Sequence, residues 1–557
     1  MSTDASTLPL RQRVLAPARA RRIVRERSRE HSGARANPWP GRVALVTIAC
    51  ACALIVVMAA DRPSLLVATS HANFFPHWMA GPLGGLLPGL TRNATELKYI
   101  FSGALVVSYL AYILVLAHAP RLDARWVIGA IAAVHVVFLL SPPLALTDIF
   151  NYINYGRMEV LHNLNPYTTI PVSGPHTDPS YSLSNWHELL SPYGPLFTLL
   201  TFAVVPLGVA GAFWSLKVLL VCASLAMLHL IWKTARMLAR DPIAAVALVG
   251  LNPIVLIWGL GADHNDFLMM LLIVLAFYLL VRTRVRESAA ASAADPAAQL
   301  LADASARADG SPRHDNGPPP RADRTGAIAV PSGGAPRLAE RLRTLALPLR
   351  APEIGAGAAL IGAAAIKASG AIIVPVVLAG LARRRRALGQ VLLGMAAALA
   401  VVCVASVIAF GLHVPDLSTQ GSLVTNLSVP NITGLALGAG GETSTLHTVF
   451  TAGLIAAIVL CCVQAWRVRS VIAASGWASV ALLVSLGWAL PWYVLWVLQL
   501  AALSRSSRLR AAALVLGAYL IIAWAPASGQ LWSAIGFHPE KTTLGSLHQR
   551  LVRDLLY

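Results

Sequence analysis

Thr147-Asp148-Ile149-Phe150-Asn151-Tyr152-Ile153-Asn154-Tyr155-Gly156-Arg157 follows directly on an apolar run over 126–146. An apolar stretch of about 20 residues crosses hydrocarbon, and an ionisable group at membrane depth needs a partner and a purpose. Asp148 therefore marks where the chain leaves the bilayer. The segment continues through Asn165-Pro166-Tyr167 and closes with Ser191-Pro192-Tyr193-Gly194-Pro195. A carboxylate just outside hydrocarbon, with aromatics and an arginine around it, suits the handling of a polar headgroup. Arg157, nine residues after Asp148, is expected on or near the same face if a helix continues. The competing reading of Asp148 is a helix N-cap, which does not by itself require the aromatics, the arginine or Asn-Pro-Tyr.

Outward from this stretch, the chain of 557 residues is 56% hydrophobic and only 12% charged, the composition of an all-α polytopic membrane protein. The net charge of +19 does not indicate nucleic acid, because no basic stripe is interleaved with aromatics as a nucleic-acid groove needs. The lysines and arginines instead serve as a topological compass, with cytoplasmic loops enriched in them. Cys50, Cys52, Cys222, Cys403, Cys461 and Cys462 fall inside apolar runs and read as small packing residues rather than a disulfide framework or metal site.

Residues 1–42 form an arginine-rich tail expected to be disordered and cytoplasmic. The first span is 43–60, for which an uncleaved anchor is preferred to a cleaved signal because the charged leader is long. Spans 99–118 and 126–146 follow, the second delivering Asp148. Asn93-Ala94-Thr95 is formally a glycosylation sequon, a weak three-residue match. Taking 195–212 as a span would put Lys233, Arg236 and Arg240 on the outer side. It is therefore read as a short outer-surface helix broken near Pro206 and Gly208, with 213–231 returning inward. Spans 243–261 and 267–281 enclose Asp263-His264-Asn265-Asp266 on the outer side. The apolar block 354–382 has arginines at both ends and reads as a hairpin of two short spans with Lys367 near its tip. Later spans are 387–411, 446–466, 470–487, 490–503 and 511–526, giving about thirteen in all.

This reading divides the chain into the tail 1–42, an N-terminal transmembrane module 43–282 carrying the outer loop 146–212, and a disordered cytoplasmic loop 283–352. A C-terminal transmembrane module 353–526 and an outer tail 527–557 complete it. The expected location is the plasma membrane, multi-pass, with the site on the extracytoplasmic face. The lysines and arginines fall on the cytoplasmic side, apart from Arg62, Arg92, Lys98, Arg157, Lys217, Lys367, Lys541, Arg550 and Arg553.

The candidate chemistry gathers there. Asp148, Asp263 and Asp266 are the carboxylates, and Arg157, Lys217 and Lys367 the cations, with His264 beside them. A carboxylate can take a hydroxyl proton while arginine and lysine stabilise charge on a departing phosphate. Asp263, His264 and Asp266 could also ligate a metal, but their spacing matches no known closed cage. Asp266 as a helix cap and Lys367 as a snorkelling side chain are the simpler readings of each alone. Tyr152, Tyr155, Tyr167, Tyr193, Trp186, Trp488, Trp492 and Tyr493 offer faces for a sugar ring, with Asn165 and Asn265 for its hydroxyls; an interfacial aromatic belt is the alternative for any one of them. No phosphate-binding loop or dinucleotide fingerprint is present, so neither a nucleotide nor another cofactor is expected, and an outward-facing transferase would take its donor from the membrane.

In order along the chain, Asp148 with Tyr152, Gly156, Arg157 and Asn165-Pro166-Tyr167, then Tyr193-Gly194-Pro195, resembles the first outer loop of GT-C glycosyltransferases. Asn252-Pro253 with Gly261 and His264-Asn265-Asp266, Lys367-Ala368-Ser369-Gly370 with Pro375, and Pro491-Trp492-Tyr493 with Trp496 are similar to the same group. Among these, the chain most resembles the actinobacterial polyprenol-phosphomannose-dependent α-1,6-mannosyltransferases, over about residues 126–505. The resemblance implies transfer of a sugar, most readily mannose, from a polyprenyl-phosphate donor in the bilayer to a glycan or lipoglycan hydroxyl. It implies Asp148 as general base, inversion at the anomeric carbon, and Lys367 at the donor phosphate. Asp263 departs from the pattern, either as a second carboxylate or as a replacement for an acidic residue elsewhere. A transporter or flippase of lipid-linked sugars is the alternative; it should show inverted repeats with interrupted mid-membrane helices, and no internal repeat is evident.

Overall fold

A computed structural model describes residues 37–61, 76–86, 93–308, 351–468, 470–534 and 536, without the side chains of Ala94, 291–308 and 419–420. Residues 1–36 of the expected tail, 309–350 of the expected loop and most of the C-terminal tail lie outside them. In hydrocarbon every backbone polar group must be satisfied within the segment, so apolar runs become helices. The described chain is accordingly helical and has no strand.

The N-terminal module contains α1 (Trp39–Asp61), α2 (Ala94–His118), α3 (Ala124–Leu139) and α4 (Asp148–His162). It continues with α5 (Pro195–Phe202), α6 (Gly208–Met237), α7 (Pro242–Gly250) and α8 (Asp266–Ala308). The C-terminal module has α9 (Ala351–Ile366), α10 (Val374–Leu381), α11 (Arg385–Phe410) and α12 (Ser444–Val468). It ends with α13 (Val471–Ser485), α14 (Leu495–Leu503) and α15 (Ser507–Trp524), followed by a short helix over Ser528–Ala534.

Seven described helical segments are long and apolar enough to cross a membrane, and five shorter apolar ones accompany them. The break expected near Pro206 and Gly208 is there: α5 stops, a tight turn covers Val205–Leu207, and α6 starts at Gly208. The stretch expected to be disordered from 283 is helical as far as Ala308, because α8 runs on past its apolar part. Asn93 serves as the N-cap of α2, its side chain accepting from the amides of Thr95 and Glu96, so the sequon residue has a structural role. The six cysteines are all free.

One contiguous apolar core joins the two modules. α8 packs against α6 and α9, and α9 against α11. Small residues let the last pair approach: a Cβ added at Gly357 would meet the Val391 carbonyl at 2.0 Å, and one at Gly394 the Ile354 carbonyl at 2.0 Å. Without a hydrophobic drive between helices in lipid, such close backbone packing holds them together.

Helical winding is interrupted at three places that lie close to the expected site. The polypeptide after α7 winds as a π-helix over Val255–Leu260 and turns through Asp263 at φ 58°. Between α9 and α10, Lys367 is extended (φ −153°, ψ 128°) ahead of a 3-10 turn over Ala368–Ile373. A 3-10 turn over Pro491–Val494 leads into α14. Each interruption carries residues of the site.

Candidate active site

Asp148 is the first residue of α4, whose start has no side-chain cap, so the N-cap reading does not account for it. Backbone contacts fix the surrounding turns. Leu144 N–H donates to the Gly261 carbonyl at 2.8 Å, bringing the approach to α4 against the turn that carries Asp263 to Asp266. Gly261 has no room for a side chain, since a Cβ there would lie 2.5 Å from the Ile257 carbonyl and 2.6 Å from Leu144. On the other side, Gly194 N–H donates to the Ile366 carbonyl at 3.0 Å, and a Cβ at Gly194 would stand 2.1 Å from the Ala365 carbonyl. Tyr193-Gly194-Pro195 is thus seated on the end of α9, next to Lys367.

These contacts bring together residues from 148 to 496. His264 Nδ1 lies 3.1 Å from Asp148 Oδ2, close enough for an ion pair. Neither ring nitrogen is aligned for a hydrogen bond, so the two side chains meet by proximity. The His264 ring stacks on Trp492 at 3.5 Å between centroids. Next along the chain, Tyr493 stacks on Trp496 at 4.1 Å. Lys367 Nζ sits 5.0 Å from the Tyr493 centroid and 5.7 Å from that of Trp496, within cation–π range. Asp266 holds this second half: one oxygen accepts from Lys367 Nζ at 2.8 Å and the other from Trp496 Nε1 at 2.6 Å.

Tyr152, one helical turn beyond Asp148, lies edge-on to Tyr193 at 4.7 Å, and its hydroxyl accepts from the Asn265 amide at 3.4 Å. Both polar atoms of the Asn265 side chain and Trp492 Nε1 are buried without a hydrogen-bond partner in the chain. Buried polar groups are nearly always paired, so these atoms keep unused hydrogen-bonding capacity.

Other expected site residues have their polar groups engaged by partners within the protein. Arg157 is not on the Asp148 face. Nine residues at 3.6 per turn are about two and a half turns, which puts the two side chains on opposite faces of α4. Arg157 instead grips Asp178, its Nε 2.9 and 3.1 Å from the two oxygens and its Nη2 3.0 Å from Oδ2. His162 Nε2 adds a contact to Asp178 at 2.9 Å. Burial alone would raise the Asp178 carboxyl, but hydrogen bonds from Arg157, His162 and Ser180 outweigh it and hold it well below the usual carboxylate range. Lys217 is fully buried and bonds both oxygens of Asp263, at 2.9 and 3.0 Å. Asn165 ties its loop to α11, donating to the Phe410 carbonyl at 2.7 Å. The Tyr167 hydroxyl donates to the Tyr193 carbonyl at 2.9 Å and that of Tyr155 to the Leu189 carbonyl at 2.7 Å. Asp263, His264 and Asp266 diverge toward three different partners, and among the described residues no group of three or more His, Cys, Asp or Glu is arranged to hold a metal ion.

Two participants are missing from the residues singled out by sequence. Trp496 entered only within the Pro491-Trp492-Tyr493 motif, although its place three residues after Tyr493, at the start of a helix, puts the two rings on one face. Asp178 sits in a loop with no motif around it, and nothing local marks it as the partner of Arg157.

Residues 43–307 match the N-terminal domain of the alpha-(1->6)-mannopyranosyltransferase family, and residues 424–544 match the MptB C-terminal domain. Alpha-(1->6)-mannopyranosyltransferase A of Mycobacterium tuberculosis is 32% identical over 153 residues, 26% of this chain and 29% of that relative. A probable alpha-(1->6)-mannopyranosyltransferase of Mycolicibacterium smegmatis is 29% identical over 145 residues, 24% of this chain and 25% of its own length. The chain thus spans less than a third of either relative in these matches, and no solved structure matches it. The helical membrane architecture and two domain matches in chain order fit a family of the GT-C type. The chain belongs to the alpha-(1->6)-mannopyranosyltransferase family.

Proposed function

We propose that the chain transfers a mannosyl residue from a polyprenyl-phosphate donor to a hydroxyl of a glycan or lipoglycan, on the outer face of the plasma membrane and with inversion at the anomeric carbon. The observation that carries this reading is the path Asp148–His264–Trp492–Tyr493–Lys367, in which each member touches the next. A base and a phosphate-binding cation thereby share one site with aromatic faces between them.

In the step itself, the acceptor oxygen forms a bond to the anomeric carbon as the bond from that carbon to the phosphate oxygen breaks. Asp148 takes the acceptor's hydroxyl proton, and the polyprenyl phosphate departs as an anion toward Lys367. A positioned base of this kind contributes about 10²–10⁴-fold. Asp266 holds Lys367 in place, and the lysine keeps 19% of its side chain exposed for a second anionic partner. His264, itself held by its stack on Trp492, stands beside the Asp148 carboxylate. Asn265 and the Trp492 indole N–H, both without partners in the chain, fit the hydroxyls of a sugar. Asp263, sealed by Lys217, serves to hold the turn.

The test is incubation of the purified protein with radiolabelled polyprenyl-phosphate mannose, glucose and arabinose and an oligomannoside acceptor. The reading expects a new glycosidic product from the mannose donor, of inverted anomeric configuration. Movement of intact lipid-linked sugar across vesicles without a new bond would establish a transporter instead.

A further inference from the structure

Away from the Asp148–Lys367 cluster, with which it shares no residue, lies a cavity of about 610 Å³. It opens among the α6–α7 connection, the middle of α8, the start of α9, the end of α10, and the α13 and α14 termini. Arg284 lines it and stands 18 residues along α8 from Asp266. At about 1.5 Å per residue that is roughly 27 Å, nearly the hydrocarbon thickness of about 30 Å. The cavity is therefore at the opposite bilayer surface from the site.

We propose that this cavity binds a phosphate-bearing lipid, with the phosphate on its arginine rim and the hydrocarbon chain along its apolar wall.

Arg240, Arg284, Arg384 and Arg505 line it against a single carboxylate, Glu353. Glu287 meets Arg384 from outside at 3.5 Å, so the four arginines still outnumber the carboxylates by two. Arg240 shows the imbalance most clearly. Its Nη1 is buried and has no hydrogen-bond partner, and burial together with the charges of Arg510 and Arg505 disfavours its charged form. A guanidinium does not give up its proton, so an anion is what relieves it, and its planar fork suits a phosphate. Phe277, Val281, Leu381, Ile472 and Leu503 form the wall, which a free anion would leave uncovered. Basic pockets between membrane helices on one leaflet take acidic lipid headgroups by this combination. The proposal does not rest on the transferase reading.

The experiment uses the full chain in nanodiscs of phosphatidylcholine mixed with phosphatidylglycerol and a trace of polyprenyl phosphate, released into native mass spectrometry. The expected result is retained anionic lipid, phosphatidylglycerol or polyprenyl phosphate according to its source. Retention should fall about tenfold in the Arg240→Gln/Arg505→Gln variant while phosphatidylcholine retention is unchanged. Equal retention by the variant would overturn the proposal. On the wild-type chain, a photoactivatable anionic lipid should label the peptides containing Ile472 and Leu503; labelling only elsewhere would overturn it independently of how the variant folds. Inorganic phosphate should not compete with that labelling at comparable concentration, and full competition would replace the lipid with a free anion.

Discussion

Asp263 and Asp266 stand three residues apart, each paired with a lysine from a distant part of the chain, yet the two pairs live in different surroundings. Lys217 and Asp263 are 0% and 1% exposed, and the lysine spans both carboxylate oxygens. Lys367 and Asp266 share one oxygen, the other going to Trp496, and the lysine is 19% exposed beneath two aromatic rings. Burial puts the first pair out of reach of a ligand. The second keeps a cation that can accept another anion without leaving its first. Two ion pairs of the same composition thus separate into a sealed fastener and a pair with an accessible lysine through burial and the geometry of the remaining hydrogen-bond sites.

The largest effect expected from this contrast is on folding. Lys217→Met leaves Asp263 buried and unpaired, which costs about 3–5 kcal/mol. Chemical unfolding in detergent should show that loss, and activity should fall only as folded protein does. Replacing both partners, Lys217→Met with Asp263→Leu, should recover most of the stability, since an apolar pair of similar volume often substitutes without penalty. Failure of the double variant to recover would mean that Asp263 has a task beyond the pair.

Gly194→Ala is next, at about 1–3 kcal/mol from overpacking, because the added methyl meets the Ala365 carbonyl. It should also shift the end of α9 under Lys367, so donor KM should rise even in the folded fraction. An unchanged KM would separate the Gly194 contact from the site. Lys367→Gln keeps a hydrogen-bond donor toward Asp266 and should lose only about 1–2 kcal/mol of stability. Its main effect should be on the donor, with a KM rise of about 10–100-fold, measured by initial rates.

Arg157 and Asp178 make a third pair that sharpens the same distinction. The Asp178 pKa is depressed in the folded chain, so the stabilisation is present above the ordinary carboxylate pKa of about 4. It is lost as pH falls below that value through the depressed one. Amide exchange in the loop 163–194 should therefore accelerate in acid below about pH 4, and Asp178→Asn should remove that acid dependence. The effect should be local and the smallest of the set, with no pH signature in donor binding.

Much of this arrangement was legible in the sequence because it depends on local order. The apolar runs fixed the helices, Pro206 and Gly208 fixed the break before α6, and Asp148, Lys367 and Asp266 stood out as charges at the ends of apolar segments. The pairings were not legible. Lys217 and Asp263 lie 46 residues apart, Lys367 and Asp266 lie 101 apart, and no local pattern says which lysine meets which aspartate. Arg157 leaves the Asp148 face for a simple geometric reason, half a turn of helix. Counting spans by length also suffers from the interruptions that build the site, since α7, α9, α10 and α14 are each shorter than a full crossing.

The central claim is that Asp148 acts on the acceptor hydroxyl while Lys367 meets the donor phosphate of the same reaction. Single-turnover transfer from labelled polyprenyl-phosphate mannose, with donor binding measured separately, tests it in Asp148→Asn. The account expects the chemical step to slow by about 10²–10⁴-fold with donor affinity within a few-fold of wild type. Transfer at the wild-type rate by folded Asp148→Asn protein would contradict it.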